Sequence, residues 1–247
     1  MRTLEISFEE RLQEIEVYLD LLESLERQVQ SGPPTIGGSP ITSQQQKILY
    51  SAVYLQLYNL VEATATWCIS GIASAASEGN RWRPGDLADE IRREWVRTNA
   101  RTHVPLNPEN RLSAAVSLCE MLVKATFVAP WEIECGGGGN WDDAQIEEMT
   151  RRLGLKLQIS NPVFRDIKRH LRDDKGPLAL VKDLRNKLAH GNLSFTECGD
   201  GVTVSELKSI KEKAAKYLRE VVAAYQDFIS AYEFVIPSRR PTSGVAT

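Results

Sequence analysis

The sequence predicts an all-α fold, on three observations. Apolar residues recur at the three- and four-residue spacing of a helix through most of the chain. Between Ile48 and Ile72 the chain is apolar almost all round a helix, which is typical of a helix buried on several sides. Strand-like alternation is confined to short stretches. We therefore expect a helical bundle with only a small extended or β insertion, near residues 183–191.

The first two helices are predicted over residues 4–30 and from Thr42 or Ser43 to about Ala76. Either Thr42 or Ser43 can cap the second helix together with a glutamine three residues later. Glycine and proline residues over 31–41 predict a loop between the helices. The first helix has a strongly acidic face, and its apolar face is expected to comprise Ile6, Ile15, Tyr18, Leu19, Leu22 and Leu25.

A polar stripe runs along the second predicted helix. Gln56, Asn59, Glu62 and Thr66 follow one another in steps of three, three and four, which keeps them within an arc of about 120°. Buried polar groups are costly unless they are paired. The stripe is therefore either a hydrogen-bonded packing seam or the wall of an active site.

Residues 81–101 combine six arginines with Trp82 and Trp95, although four acids reduce the net charge to +2. Arginine with aromatic residues can stack on single-stranded bases, but tryptophan at helical spacing is more often a core residue. Asn107 and Pro108 then begin another predicted helix. We expect it to be a core helix, with apolar residues Leu112, Val116, Leu122 and Phe127.

Residues 128–160 are predicted to be an irregular insertion. Gly136–Gly139 lack the spacing and the Lys-Ser or Lys-Thr pair of a phosphate-binding loop, so we interpret them as a flexible turn. Asn140 is expected to cap a short helix over 141–153. Asn161 and Pro162 are expected to begin a basic helix that ends near Arg172.

The best functional lead is the segment Asp183–Gly191. Pro177 suits a first helical turn and Gly191 a C-terminal cap, so His190 should end a helix. On that helix Arg185 and His190 lie about 140° apart around the axis. Basic residues and a histidine before glycine also suit any helix end, so the bare pattern leaves a structural and a functional interpretation open. Arg165 and His170 repeat the same five-residue spacing.

After this segment, residues 193–197 alternate like a short strand. Thr203 and Glu206 form a capping box before a long helix to about Phe234. We predict a single domain over residues 1–236 and a disordered polar tail over 237–247.

Composition limits the classes of function. The net charge of −3 argues against a general nucleic-acid-coating protein, yet residues 1–30 carry −5 and residues 151–190 carry +7. The basic region yields three candidate RNA-binding residues, Lys182, Lys187 and Arg169, although charge runs are usually solvated faces.

Four scattered cysteines and three histidines show no metal-ligand spacing, so we expect no metal and no cofactor. No signal peptide or membrane span is evident, and we expect a soluble, cytoplasmic protein.

The run Leu184–Gly191, Leu-Arg-Asn-Lys-Leu-Ala-His-Gly, resembles the signature of the HEPN-domain superfamily. Arg185, Asn186 and His190 match the three characteristic places of its ribonuclease members, whereas Arg165 and His170 lack the asparagine and the glycine. The resemblance implies Arg185, His190 and Asn186 as catalytic residues. It also implies a further polar residue on the second helix, for which Glu62 and Asn59 are the candidates. Some HEPN toxins carry a modified tyrosine two positions after the histidine, but that place is Asn192 here.

The resemblance further implies a metal-independent endoribonuclease, with RNA as substrate and a homodimer with a composite active site. A toxin or antiviral defence role is implied too, with an antitoxin or regulatory protein as partner. Two alternatives stay open. One is a non-catalytic HEPN module that binds nucleotide or RNA and a protein partner; the other is a structural helical interaction protein.

Overall fold

The computed structural model describes residues 4–29, 32–135 and 140–241. Nine α-helices occur in these residues, and the all-α prediction is confirmed. The helices are α1 (Leu4–Val29), α2 (Ser43–Ser77), α3 (Asp89–Asn99), α4 (Pro108–Val123), α5 (Asp143–Arg152), α6 (Asn161–Lys168), α7 (Pro177–Ala189), α8 (Phe195–Cys198) and α9 (Val204–Ser230). Within the same ranges, the two strands β1 (Thr35–Ile36) and β2 (Ser39–Pro40) pair antiparallel. No helix in the described ranges is both long enough and apolar enough to span a bilayer.

Local capping signals explain where several helices begin. The Thr42 hydroxyl accepts a hydrogen bond from the Gln45 backbone N–H, and the Gln45 side chain accepts one from the Thr42 backbone N–H. The Asn107 side chain likewise accepts from the backbone N–H of Asn110. Each contact satisfies a backbone donor that the helix itself leaves unpaired, so the cap residues set the start of α2 and α4.

Contacts divide the chain into two compact units. The first comprises Met1–Ala65, Asn140–Ile146 and Gln158–Val221. Its core is formed by the buried faces of α1, the first part of α2, α7 and most of α9, and includes Phe8, Leu12, Leu19, Leu22, Tyr54, Leu57, Leu180, Val181, Leu207 and Leu218. The carboxylates of α1 pair with basic residues of α9, as in Arg219 with Glu9 and Lys211 with Glu16.

The second unit comprises Thr66–Gly139, Glu147–Leu157 and Val222–Thr247. Trp82 packs edge-on against Tyr232 and Phe234, with ring centroids 6.1 and 6.3 Å apart. Trp82 and Trp95 are both buried, so the structure favours the core interpretation of these tryptophans over the RNA-stacking one. Glu94 is also buried, and its carboxylate receives two hydrogen bonds from the Arg152 guanidinium, which offsets the cost of burying the charge.

The prediction of a strand over residues 193–197 is wrong. Residues 195–198 form the short helix α8, which begins with a capping box between Ser194 and Glu197. The reason is that Ser-x-x-Glu satisfies two backbone donors locally, and this outweighs a brief apolar alternation. The small β element lies instead in the predicted 31–41 loop, as β1 and β2.

The prediction that α4 is a core helix is also wrong. None of its residues is buried, and Leu112, Val116, Leu122 and Val123 are exposed, as is Phe127 just after it. Hydrophobic content alone does not bury a helix, because burial also needs a facing element.

Three smaller differences concern caps and ends. The basic helix is shorter than expected, since α6 ends at Lys168 and the backbone of Arg169 is extended. Asp142, not Asn140, caps α5, because its side chain accepts from the Gln145 backbone N–H. Within the predicted tail, Pro237–Arg239 form a 3₁₀ turn, whereas residues 242–247 and the predicted Gly136–Gly139 turn lie outside the described residues.

The burial of the cysteines predicts their reactivity. Cys68 is buried, and burial raises the pKa of its thiol to about 12, so very little thiolate forms at neutral pH. Cys119 lies exposed on α4. We expect Cys119 to be the fastest of the four thiols with a disulfide reagent in the native protein. Cys119→Ser should remove that fast phase, and an equally fast phase from Cys68 would contradict the packing.

Candidate active site

The candidate site lies at the C-terminal end of α7, in the first unit. Leu184 and Leu188 are buried and hold one face of the helix against the core. His190 is the C-cap residue, and its backbone N–H donates to the carbonyl oxygen of Asn186. Gly191 has a φ of +70°, a conformation that glycine adopts without strain. The predicted helix end is therefore confirmed, and it presents both Arg185 and His190 in its last two turns.

Arg185 points toward α2. Its guanidinium carbon lies 4.1 Å from the centre of the Tyr58 ring, close enough for a cation–π contact. Its Nη2 atom lies 3.6 Å from a carboxylate oxygen of Glu62, and its Nη1 atom donates to Asn186 Oδ1 at 2.9 Å. The side chain keeps 28% of its surface exposed. Arg185 is thus oriented by three groups while its side chain remains partly exposed.

The side chain of Tyr58 is buried, and its ring lies against the Arg185 guanidinium. Only 2% of its surface is exposed, and burial is the main cause that raises the pKa of its hydroxyl. The hydroxyl therefore stays neutral and accepts a hydrogen bond from the backbone N–H of Trp141 at 3.2 Å. The face of the ring can therefore contact the Arg185 cation while the phenolic oxygen accepts the hydrogen bond from Trp141.

His190 is exposed, and no described side chain forms a hydrogen bond or ion pair with its imidazole. It lies five residues after Arg185, so the two side chains leave the helix about 140° apart. A single copy of the chain therefore presents an oriented arginine and a solvent-facing histidine on different sides of α7.

The segment Asn140–Asp143 contacts the site in a way that local pattern did not indicate. Asn186 Nδ2 donates to Asn140 Oδ1 at 2.9 Å. Asp142 pairs with Lys182, and Asp143 pairs with Lys168 at 2.6 Å. Four consecutive residues thus contact α2, α6 and α7.

The predicted RNA-binding residues differ in their availability. Lys182 is paired with Asp142, and Lys187 is paired with Asp183 at 2.9 Å. Hydrogen bonding to Asp183 is the largest cause that raises the pKa of Lys187, which therefore remains charged. Arg169 is exposed at the end of α6. Two of the three candidate RNA-binding residues therefore have carboxylate partners.

The polar stripe of α2 divides between two environments. Glu62 is half-buried beside Arg185. Asn59 is exposed and lines a cavity of about 290 Å³ together with residues of α1, among them Arg11, Glu14 and Tyr18. The structure thus brings Glu62, but not Asn59, to the arginine. Because the stripe is half-buried or exposed along its length, it is not a buried packing seam.

The second Arg-x4-His pair has a different setting. Arg165 lies in α6, but His170 lies beyond the end of that helix. The His170 imidazole lies 3.8 Å from the carboxylate of the exposed Asp174. Equal spacing in sequence therefore does not produce equal geometry.

Two contributors to the site were missed from sequence alone. Tyr58 lies one helical turn before Glu62, so placing Glu62 beside Arg185 would have indicated it. For Asn140, the sequence indicated only the preference of asparagine for the N-terminal cap of a helix. No cluster of histidine, cysteine, aspartate and glutamate that could hold a metal ion occurs in the described part of the chain.

The fold and the site define an all-helical protein with an Arg-Asn-x-x-x-His sequence at a helix C-terminus. The profile of the MAE_28990-like HEPN family matches residues 1–234, and the chain belongs to that family. The predicted HEPN relationship is thereby confirmed. No curated protein and no solved structure matches the chain.

Proposed function

We propose that the protein is an endoribonuclease that cleaves RNA by attack of the ribose 2′-hydroxyl on the adjacent phosphate, without a metal. The observation that carries this proposal is the oriented Arg185 fork, held by Tyr58, Glu62 and Asn186 near a helix end that also carries an exposed histidine. HEPN proteins include ribonucleases, so the family supports the same class of activity.

The chemistry assigns a role to each residue. The planar guanidinium of Arg185 donates to the phosphoryl oxygens, where negative charge increases in the transition state. His190 accepts the proton of the 2′-hydroxyl or donates a proton to the leaving 5′-oxygen. Asn186 holds the Arg185 fork through its side-chain oxygen. The products would be a 2′,3′-cyclic phosphate and a 5′-hydroxyl.

The reaction requires both a base and an acid, but one chain supplies one histidine at this site. A two-fold dimer that brings two α7 ends together supplies both, because an isologous contact duplicates every residue in it. The exposure of His190, on a different side of α7 from Arg185, fits a role completed by a second copy.

The test is incubation of the purified protein with total cellular RNA in EDTA, with wild type and His190→Ala compared on a gel. We expect cleavage by wild type and none by His190→Ala. His170→Ala is the matched control, because it removes an exposed histidine with the same arginine spacing, and it should cleave like wild type.

The dimer proposal makes a quantitative addition to this test. If both histidines of a dimer are needed, a mixed dimer of wild type and His190→Ala is inactive. After equal amounts are mixed and allowed to exchange subunits, the activity should be about a quarter of that of the same total amount of wild type. Independent subunits would give about a half. Intact RNA in every lane, from folded wild type, would instead favour a non-catalytic module that binds nucleotide or RNA.

We also propose the biological setting that the family resemblance implies, a toxin or antiviral effector restrained by a partner protein. The exposed helix end supports this role in one respect, since a restraining protein could reach His190 directly. Co-expression with a neighbouring gene product that blocks cleavage would test it.

A further inference from the structure

We propose that Asn140 is a positioning residue of the site, which acts through Asn186 to hold the Arg185 fork in one orientation. This inference rests on the proposed function for its catalytic consequence, but its structural part can be tested separately.

Both the oxygen and the nitrogen of the Asn186 side-chain amide form hydrogen bonds. Its oxygen accepts from Arg185 Nη1 at 2.9 Å, and its nitrogen donates to Asn140 Oδ1 at 2.9 Å. A guanidinium has only donors, so the oxygen of the amide must face Arg185 and the NH₂ group must face an acceptor. Asn140 supplies that acceptor. With Asn140 in place, a rotation of the Asn186 amide by 180° loses both hydrogen bonds.

The two residues after Asn140 hold it in position. Trp141 is buried, and its backbone N–H donates to the hydroxyl of Tyr58, whose ring lies beneath Arg185. The Asp142 carboxylate pairs with Lys182, three residues before Arg185 on α7. Residues 140–142 are thus attached to α2, whose Tyr58 ring lies against Arg185, and to α7, which carries Arg185.

Loss of the Asn140 acceptor should therefore affect orientation more than affinity. The Asn186 amide would keep one anchor in place of two, and the Arg185 fork would populate further orientations. A small misplacement of a group that acts on the transition state can cost about 10²-fold in rate. Asn140→Ala removes no charge from the site, so we expect substrate binding to change much less.

The experiment compares Asn140→Ala and Asn140→Asp with wild type. Asn140→Asp keeps an oxygen that accepts from Asn186, so it should restore what Asn140→Ala loses. Asn110→Ala, an exposed asparagine on α4, is the matched control. The first readout is the NMR signal of the Arg185 Nε–H in protein labelled with ¹⁵N-arginine. The second is kcat and KM for RNA cleavage.

We expect Asn140→Ala to move the Arg185 signal toward that of a solvent-averaged arginine and to lower kcat about 10- to 100-fold, with little change in KM. Asn140→Asp should restore both. An unchanged Arg185 signal, or equal impairment of the alanine and aspartate variants, would overturn the proposal. If wild type cleaves no RNA, the proposed function fails, while the NMR comparison still decides whether Asn140 positions Arg185.

Discussion

Arg185→Ala is expected to lower kcat for RNA cleavage by about 10²–10³-fold while the protein remains folded. The substitution removes the guanidinium that we propose as the donor to the phosphoryl oxygens. Arg185→Lys should recover only part of the loss, because lysine keeps the charge but cannot donate two parallel hydrogen bonds. Single-turnover cleavage of an end-labelled RNA, with enzyme in saturating excess, measures the rate constant of the cleavage step, and the same loss should appear there.

Two comparisons make the result specific. Arg165→Ala removes an arginine with the same spacing to a histidine and should leave the rate unchanged. Thermal unfolding of Arg185→Ala should resemble that of wild type, because 28% of the arginine side chain is exposed and ion pairs between partly exposed groups contribute little to stability. A large fall in melting temperature, together with unaffected cleavage by the remaining folded protein, would assign Arg185 a structural role.

Gly199→Ala is expected to reduce the free energy of unfolding by about 1–3 kcal/mol. A Cβ atom built on Gly199 would overlap the carbonyl oxygen of Lys47, a backbone atom of α2 that cannot rotate away. The end of α8 would have to move from α2, which would also disturb the ion pair between Lys47 and Asp200 at 2.6 Å. Urea unfolding followed by circular dichroism measures the change.

Gly85→Ala is the matched control, since a Cβ atom added to Gly85 would meet no other atom within 4 Å and the φ of this glycine is not positive. The control should unfold within about 0.5 kcal/mol of wild type, as most exposed substitutions do. Equal stability of the two variants would show that α8 does not approach α2 as closely as the structure indicates.

The positions of most helices, and the place of Arg185 and His190 at the end of one of them, could be predicted from local chemistry. The Thr42–Gln45 and Asn107 caps lie within a few residues of the backbone groups that they satisfy. The start and end of α7 were predicted for the same reason, because proline and glycine restrict or free the backbone where they stand. Local competition also explains the error at residues 193–197, because the Ser194–Glu197 capping box outweighs the brief apolar alternation there.

Burial and charge pairing were not predictable in this way. The apolar pattern of α4 did not reveal that no residue of this helix is buried. The basic character of residues 151–190 did not reveal that Lys182 and Lys187 have carboxylate partners. Both properties depend on what the fold places opposite a residue, which a spacing pattern does not contain.

By itself, the sequence determined an all-helical HEPN protein whose Arg185, Asn186 and His190 lie in the last turns of one helix, because these features depend on neighbours along the chain. Only the tertiary structure decided that the Tyr58 ring lies against Arg185, that Glu62 but not Asn59 lies beside it, and that Asn186 donates a hydrogen bond to Asn140. Asn140 and Asn186 are separated by 46 positions, and Tyr58 and Trp141 by 83. Contacts over such separations form only when packing of the apolar helix faces brings distant segments together.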